Sequence, residues 1–318
     1  MHASSSPRKA IPAQSRGHTA GFVAAVVANV ALAFGPLFVR LTDTGPVAAA
    51  FWRMALALPL LAAAAWMARG RSARVPLSWR SGLLLAGAGV AFAADLGSWH
   101  IGILRTTMAN ATLFGNAATF IFPIWGFLVA RAWPSRGQAL ALVLAAAGAG
   151  LLMGRSYQLD PRHLVGDLLC VAAGVLYAVY FIMMADVRRT MAPLPALALS
   201  SAAALLPLLG FALLLGERVV PTDWTPVIAL ALVSQVVGQG CMIYALGTLS
   251  PLAVGLALLI QPVVAAAIGW IGFGERLGAP DLIGVAMVAA ALVLVRREPG
   301  PAKAGANTPA NPVTEDMG

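Results

Sequence analysis

Charge is what this chain of 318 residues has least of: Asp, Glu, Lys and Arg make up 10% of it, against roughly 25% in soluble domains. With 60% hydrophobic residues and a mean hydropathy of +0.83, that scarcity excludes a water-soluble globular fold and points to a polytopic membrane protein. Cysteine is almost missing too. Cys170 and Cys241 lie inside apolar runs with no metal or redox spacing, so they read as small packing residues. Lysine occurs only at Lys9 and Lys303, against nineteen arginines, and with the abundant alanine this suggests a GC-rich bacterial genome. The chain has no G-x-x-x-x-G-K-[ST] loop and no stretch of soluble sequence to hold one, so nucleotide hydrolysis is not expected of it. The net charge of +9 would suggest nucleic acid in a soluble protein. Here the basic residues fall between apolar runs, where they set orientation, and no nucleic-acid partner, cofactor or metal is expected.

What is present is a series of apolar runs. A helix needs about 20 residues to cross a hydrocarbon core, and on that rule spans fall near 21–39, 46–68, 82–103, 107–130, 137–153, 165–185, 193–215, 225–245, 251–272 and 280–295. The first run is long enough to span, so no cleaved signal peptide is expected. With the N-terminus inside, fourteen basic residues fall on the cytoplasmic side and six outside, with Arg53 within a span. The positive-inside rule therefore favours ten helices with both ends cytoplasmic.

The two halves overlay. A shift of 143 sets Ile103 on Leu246, Thr107 on Ser250 and Thr119 on Pro262, and near the starts a shift of 145 sets Gly21 on Gly166 and Ala33 on Ala178. Because each unit holds five spans, the second enters from the opposite side. This gives the inverted repeat from which alternating-access transporters are built. The expected organisation is a disordered tail over 1–18, one five-helix repeat over 19–155, a second over 156–297 and a disordered tail over 298–318. The fold class is an all-α membrane protein.

Polar residues inside spans are the candidates for function, since a charge at the bilayer centre costs roughly 2.5–3.5 kcal/mol on insertion scales. The centre of interest is 91–122, AFAADLGSWHIGILRTTMANATLFGNAATFIF, where Asp95, Trp99, Gly102 and Thr106 share one helix face. Asp95 could bind a substrate ammonium, carry a proton, or partner His100, Arg53 or a backbone amide. Trp99 and His100 could stack on and hydrogen-bond a substrate, or serve as an interfacial Trp and a structural His. Arg53, seven residues into its span, is read first as snorkelling to the surface, with pairing to Asp95 or contact with a substrate carboxylate as the alternatives. Gln235 and Gln239 share a face at i, i+4, and Gln261 precedes Pro262, where a kink would free backbone carbonyls. Asn116, Tyr177 and Tyr180 add amide and aromatic surface. Each of these is, taken alone, at least as well explained by interhelical bonding or packing.

Taken together, the runs FWRMALALPLL (51–61), TTMANATLFGNAATF (106–120), GDLLCVAAGVLYAVYF (166–181) and QPVVAAAIGWIGFGERLGAPDLIG (261–284) resemble the drug/metabolite transporter superfamily and its ten-helix EamA-type members. The resemblance covers about 21–295 and rests on the order and spacing of the runs. It departs in the first half, where Thr119 stands in place of a proline and Arg131-Ala132 in place of a Gly-Glu step. The second half keeps both, in Pro262 and Gly274-Glu275.

The resemblance implies a secondary-type transporter of small metabolites rather than an enzyme. Ser98 and His100 are two apart on a helix and diverge, so they form no nucleophile–base pair. Neutral or aromatic amino acids are the first substrate class. A multidrug or cationic-compound exporter, proton-coupled or not, is the alternative. The expected setting is the bacterial inner membrane, as a multi-pass monomer or weak dimer whose partners are a small-molecule substrate and the lipid bilayer.

Overall fold

The computed structural model describes residues 13–68, 78–106, 111, 114–154, 161–264, 267 and 278–297. Among them, six helices are long and apolar enough to cross a membrane and four shorter apolar helices accompany them, which makes the expected ten. In chain order they are α1 (Gly17–Leu41), α2 (Pro46–Met67), α3 (Trp79–Arg105), α4 (Ala118–Ala130), α5 (Arg136–Gly154), α6 (Leu164–Val187), α7 (Pro193–Leu214), α8 (Thr225–Leu246), α9 (Pro251–Val264) and α10 (Ala279–Arg297). The turn of helix leading into α1 begins at Ala13, inside the segment read as a tail. Proline stands in the first turn of α2, α7, α8 and α9, where its missing N–H costs nothing. Ser78 and Ser250 cap α3 and α9 by accepting from the N–H of Ser81 and Ala253.

Helices five apart in the chain pair with one another: α2 with α7, α4 with α9 and α5 with α10. The remaining contacts obey the same exchange of halves. Where α3 lies on α6 and α7, its mate α8 lies on α1 and α2. Glycines set the close approaches and show the register. A Cβ at Gly21 would strike Thr248 and Leu249, and one at Gly166 would strike Arg105 and Thr106. Those two glycines coincide when the halves are overlaid, and so do their two pairs of partners. Mates run antiparallel: Gly126 of α4 meets Pro251 at the start of α9, while Pro123 and Thr119 meet Gly255 further along it. The repeats are therefore inverted, as five spans per repeat require.

The two faces of the bundle are stitched differently. On the first face, where the α1–α2 and α7–α8 turns lie, Glu217 accepts from the N–H groups of Val47 and Ala48, at 3.3 and 2.8 Å, and so caps α2 in trans. Gly45 donates to the Arg218 carbonyl and the Trp52 indole to the Val219 carbonyl. Asp43 accepts from the N–H of Thr222 at 2.8 Å, and that bond holds its carboxyl below the usual carboxylate range.

Two helices are interrupted. The residues read as one span near 107–130 turn at Asn116–Ala117 before α4 begins, and α9 turns at Leu258–Leu259. Under the overlay of 143 the two turns coincide within one residue. The first repeat thus breaks its fourth helix without the proline the resemblance led one to expect, and Pro123 sits inside α4, seated against Gly255. Arg131, in place of the expected glycine, ends α4 in the left-handed conformation with φ 48°. The Gly274-Glu275 step of the second half lies outside the described residues.

Candidate functional site

The breaks matter because of what they face. A cavity sits between the repeats with about 80 Å³ open to the centres of water-sized spheres, several times the ~10–15 Å³ that one water needs. Under the sequence overlay Leu32 falls on Tyr177 and Leu96 on Gln239, and all four line the cavity. It therefore straddles the axis that relates the halves. The interrupted helices deliver Asn116 and Gln261 to its wall, as expected of inverted-repeat transporters, whose sites form where spanning helices are discontinuous.

Seven of the ten residues singled out from sequence line this cavity: Arg53, Asp95, Trp99, Asn116, Tyr177, Gln239 and Gln261. The α3 face supplies Phe92, Asp95, Leu96 and Trp99 at spacings of three, four and seven. Phe92 was not foreseen, although its place one turn before Asp95 on the same face was the signal that could have found it. The same α3 face leaves the cavity further along, where Gly102 abuts Cys170 and Thr106 donates to Asp167 at 2.6 Å.

Arg53 corrects the first reading of it. It does not snorkel: it is 2% exposed and points inward. Its Nε–H donates to Gln235 Oε1 at 3.1 Å, and Gln235 in turn donates to Ser201 Oγ at 3.0 Å. The guanidinium lies over the Phe92 ring, 5.8 Å from its centroid, at cation–π distance. With Nε occupied by Gln235, the forked Nη end is left facing the cavity. Arg53 is affordable inside the membrane because three helices converge on it, α2 carrying it, α8 bonding it and α3 stacking beneath it.

Asp95 lines the same cavity and is 7% exposed. Among the described residues its carboxylate makes no hydrogen bond or ion pair, with Arg53 or any other group. A buried guanidinium and a buried carboxyl group thus face one space without closing on each other. Such charges are costly until a polar ligand or water meets them. Gln239 donates to the Tyr177 hydroxyl at 3.0 Å, and its Oε1 has no partner among the described residues. Gln261 donates to Asn29 Oδ1 at 2.9 Å and Asn29 to the Ala25 carbonyl at 2.7 Å, which ties α9 to α1 at the cavity wall.

Three of the sequence candidates do not line the cavity. The His100 Nδ1 lies 2.8 Å from the Pro46 carbonyl and must donate to it, since a carbonyl only accepts. The ring joins α3 to the start of α2. Tyr180 is fully buried and stacks on Phe92, with centroids 4.4 Å apart and planes at 11°, so it supports the aromatic floor from behind. Gln235 is fully buried behind Arg53. Residues Leu230–Gln239, which carry it and Gln239, wind as a π-helix, a rare form frequent at functional sites. Among the described residues no group of three or more His, Cys, Asp or Glu could hold a metal ion.

Comparison with known proteins agrees with this architecture. A curated relative, an uncharacterized transporter of Archaeoglobus fulgidus, is 26% identical over 147 residues, 46% of this chain and 50% of that protein. The match thus spans about half the length of that relative. A solved crystal structure superposes with a TM-score of 0.70 over 89% of this chain and 99% of its own, at 18% identity. At that identity the likeness is one of fold. The pattern of the EamA-like transporter family matches twice, over residues 19–154 and 164–297, one match for each five-helix repeat. This multi-pass membrane protein belongs to the EamA-like transporter family.

Proposed function

We propose that the protein exports neutral amino acids, aromatic ones foremost, by alternating access of its two repeats around the central cavity. The observation that carries this reading is that Arg53 and Asp95 line one cavity without pairing. A zwitterion offers each of them its complement. The α-carboxylate meets the free Nη fork of Arg53 in the bidentate geometry that guanidinium favours. The ammonium meets Asp95 and the unpartnered Gln239 Oε1. Phe92, Trp99 and Tyr177 offer aromatic faces to the side chain.

A cationic drug, the alternative substrate, would be served by Asp95 and the aromatics alone. A buried arginine at the same wall repels it, and this favours the zwitterion. Termini in the cytoplasm are supported by the excess of basic residues on that side, and a bacterial inner membrane by the scarcity of lysine against arginine and the abundance of alanine. Coupling to the substrate's own gradient follows if both charges stay ionised through the cycle.

The test is uptake into liposomes by purified protein, with radiolabelled tryptophan, phenylalanine and leucine, with and without a pH gradient. Saturable uptake that needs no pH gradient and falls at least tenfold in Asp95→Asn and in Arg53→Gln is expected. Efflux of a cationic dye driven by a pH gradient, with no amino-acid flux, would replace this reading with the drug exporter.

A further inference from the structure

The two repeats are alike in sequence but not in conformation, and the differences fall in their first and third helices. α1 is broken at Ala33–Phe34, whereas its mate α6 runs unbroken through Ala178. Ala33 lines the cavity while Ala178, its repeat mate, is fully buried away from it. Pro36 lines the cavity too, but its mate Phe181 is fully buried against Phe122, Tyr177 and Tyr180. In α8 the stretch from Leu230 is π-helical, while α3 is α-helical throughout. At the cavity, α1 presents Ala33 and Pro36 to the open space, whereas the matching residues of α6, on the side of the second face, where the α6–α7 and α8–α9 turns lie, are packed away from it.

Each face carries one arginine in the same topological place. At the first face Arg40, in the last turn of α1, donates from Nη2 to the Ile103 carbonyl near the end of α3, at 3.3 Å. At the second face Arg188, just past the end of α6, donates from Nε to the Ile243 carbonyl near the end of α8, at 2.9 Å. In both cases the first helix of a repeat is tied to the third helix of that repeat, and under the overlay the donors and acceptors correspond within a helical turn. The two ties differ in strength. Arg40 is exposed and its bond is single and long. Arg188 is half-buried, bonds the Met191 carbonyl as well through Nη1, and lies where Gly247 leaves room, since a side chain there would overlap the guanidinium.

We infer that Arg188 is the latch that holds the second face closed, and that Arg40 is its counterpart, held by one long bond in the conformation described and fully engaged in the opposite one. An inverted repeat can reach its opposite-facing state by exchanging the conformations of its halves. In that exchange α1 straightens, Ala33 is buried, Ala178 comes to the cavity and Arg188 lets go. The inference rests on the alternating-access reading but not on the choice of substrate.

The test places single cysteines at Ala33→Cys or Ala178→Cys in a background with Cys170→Ala and Cys241→Ala, and follows maleimide labelling of purified protein. Removing Arg188 breaks charged hydrogen bonds to backbone carbonyls. Arg188→Ala is therefore expected to speed labelling of Ala178→Cys about tenfold or more and to slow that of Ala33→Cys. Arg188→Lys, which keeps one donor, should fall between, and Arg40→Ala should not raise the labelling rate of Ala178→Cys. If Ala178→Cys labelling is unchanged in Arg188→Ala, while some other condition drives the two reporters in opposite directions, the latch is wrong and alternating access stands. If the two reporters only ever rise and fall together, the alternating-access reading fails with it.

Discussion

Arg53 shows how far a single residue can be judged from its position in the chain. Seven residues into a span, a lone arginine is within snorkelling reach of the interface, and nothing near it in sequence says otherwise. Its partner is Gln235, 182 positions away, and only the assembled bundle brings the two together. Asp95 stood out because a carboxylate inside a span is costly, although a structural partner would have explained it as well. Gln235, Tyr180 and His100 have the same polar or aromatic character as the lining residues. What separates them is which part of the side chain meets the cavity and which meets a neighbouring helix, and that is set only in the assembled bundle. The Ser201–Gln235–Arg53 chain also makes a prediction at this scale. Gln235→Leu leaves the guanidinium in place without its Nε acceptor, so its fork is free to rotate. A hydrogen bond to a charged group contributes about 1.5–3 kcal/mol, so KM for tryptophan should rise roughly 10- to 100-fold with little change in maximal rate. Tryptamine, which lacks the carboxylate, should compete with tryptophan more successfully in the variant than in the native protein. If tryptophan and tryptamine lose affinity in step, Gln235 is only a packing residue.

At the scale of elements, spans and turns followed from composition, because apolar runs of bilayer length and proline at helix starts are local signals. The breaks in α4 and α9 were half legible. Pro262 marked the second, but the first comes at Asn116–Ala117 with no proline near enough to force it. It is the packing of α4 against α9, through Gly126 on Pro251 and Pro123 on Gly255, that sets the helix in its broken register. The end of α4 was flagged by the missing glycine. The Ala132 N–H reaches the Phe127 carbonyl and the Arg131 N–H the Leu128 carbonyl, both at 3.2 Å, around a left-handed Arg131 with φ 48°. Glycine adopts that conformation without the roughly 1–2 kcal/mol a side chain costs there. Arg131→Gly should therefore stabilise the protein by about 1 kcal/mol, less the few tenths contributed by a cation at a helix C-terminus. A rise of a few degrees in Tm in detergent is the expected readout. An unchanged or lower Tm would mean that the exposed arginine contributes more through its charge than its backbone costs.

For the whole molecule, the duplication was the most informative feature of the sequence, since the overlay that aligned Gly21 with Gly166 also aligns the residues those glycines touch. What no overlay could give is the difference between the halves: α1 broken and α6 straight, α3 an α-helix and α8 partly a π-helix. Two copies of one fold in one conformation would leave the cavity equally open or equally closed to both faces. On the alternating-access reading proposed above, that difference is what would let the cavity face one side at a time. The charge in that cavity then decides what crosses with the substrate. If the substrate is the zwitterion proposed above and Arg53 and Asp95 are both ionised, their charges sum to zero, the substrate adds nothing to that sum, and each half-cycle would carry no net charge between the faces. Flux of tryptophan in liposomes should then be indifferent to a membrane potential of either sign imposed with potassium and valinomycin. Across 100 mV, movement of one net charge is worth about 2.3 kcal/mol, which would bias accumulation roughly 50-fold. An accumulation ratio that stays near one in the presence of the potential fits a neutral cavity. A ratio that follows the potential means that a proton or other ion moves with the substrate, and Asp95→Asn would then be expected to abolish that dependence.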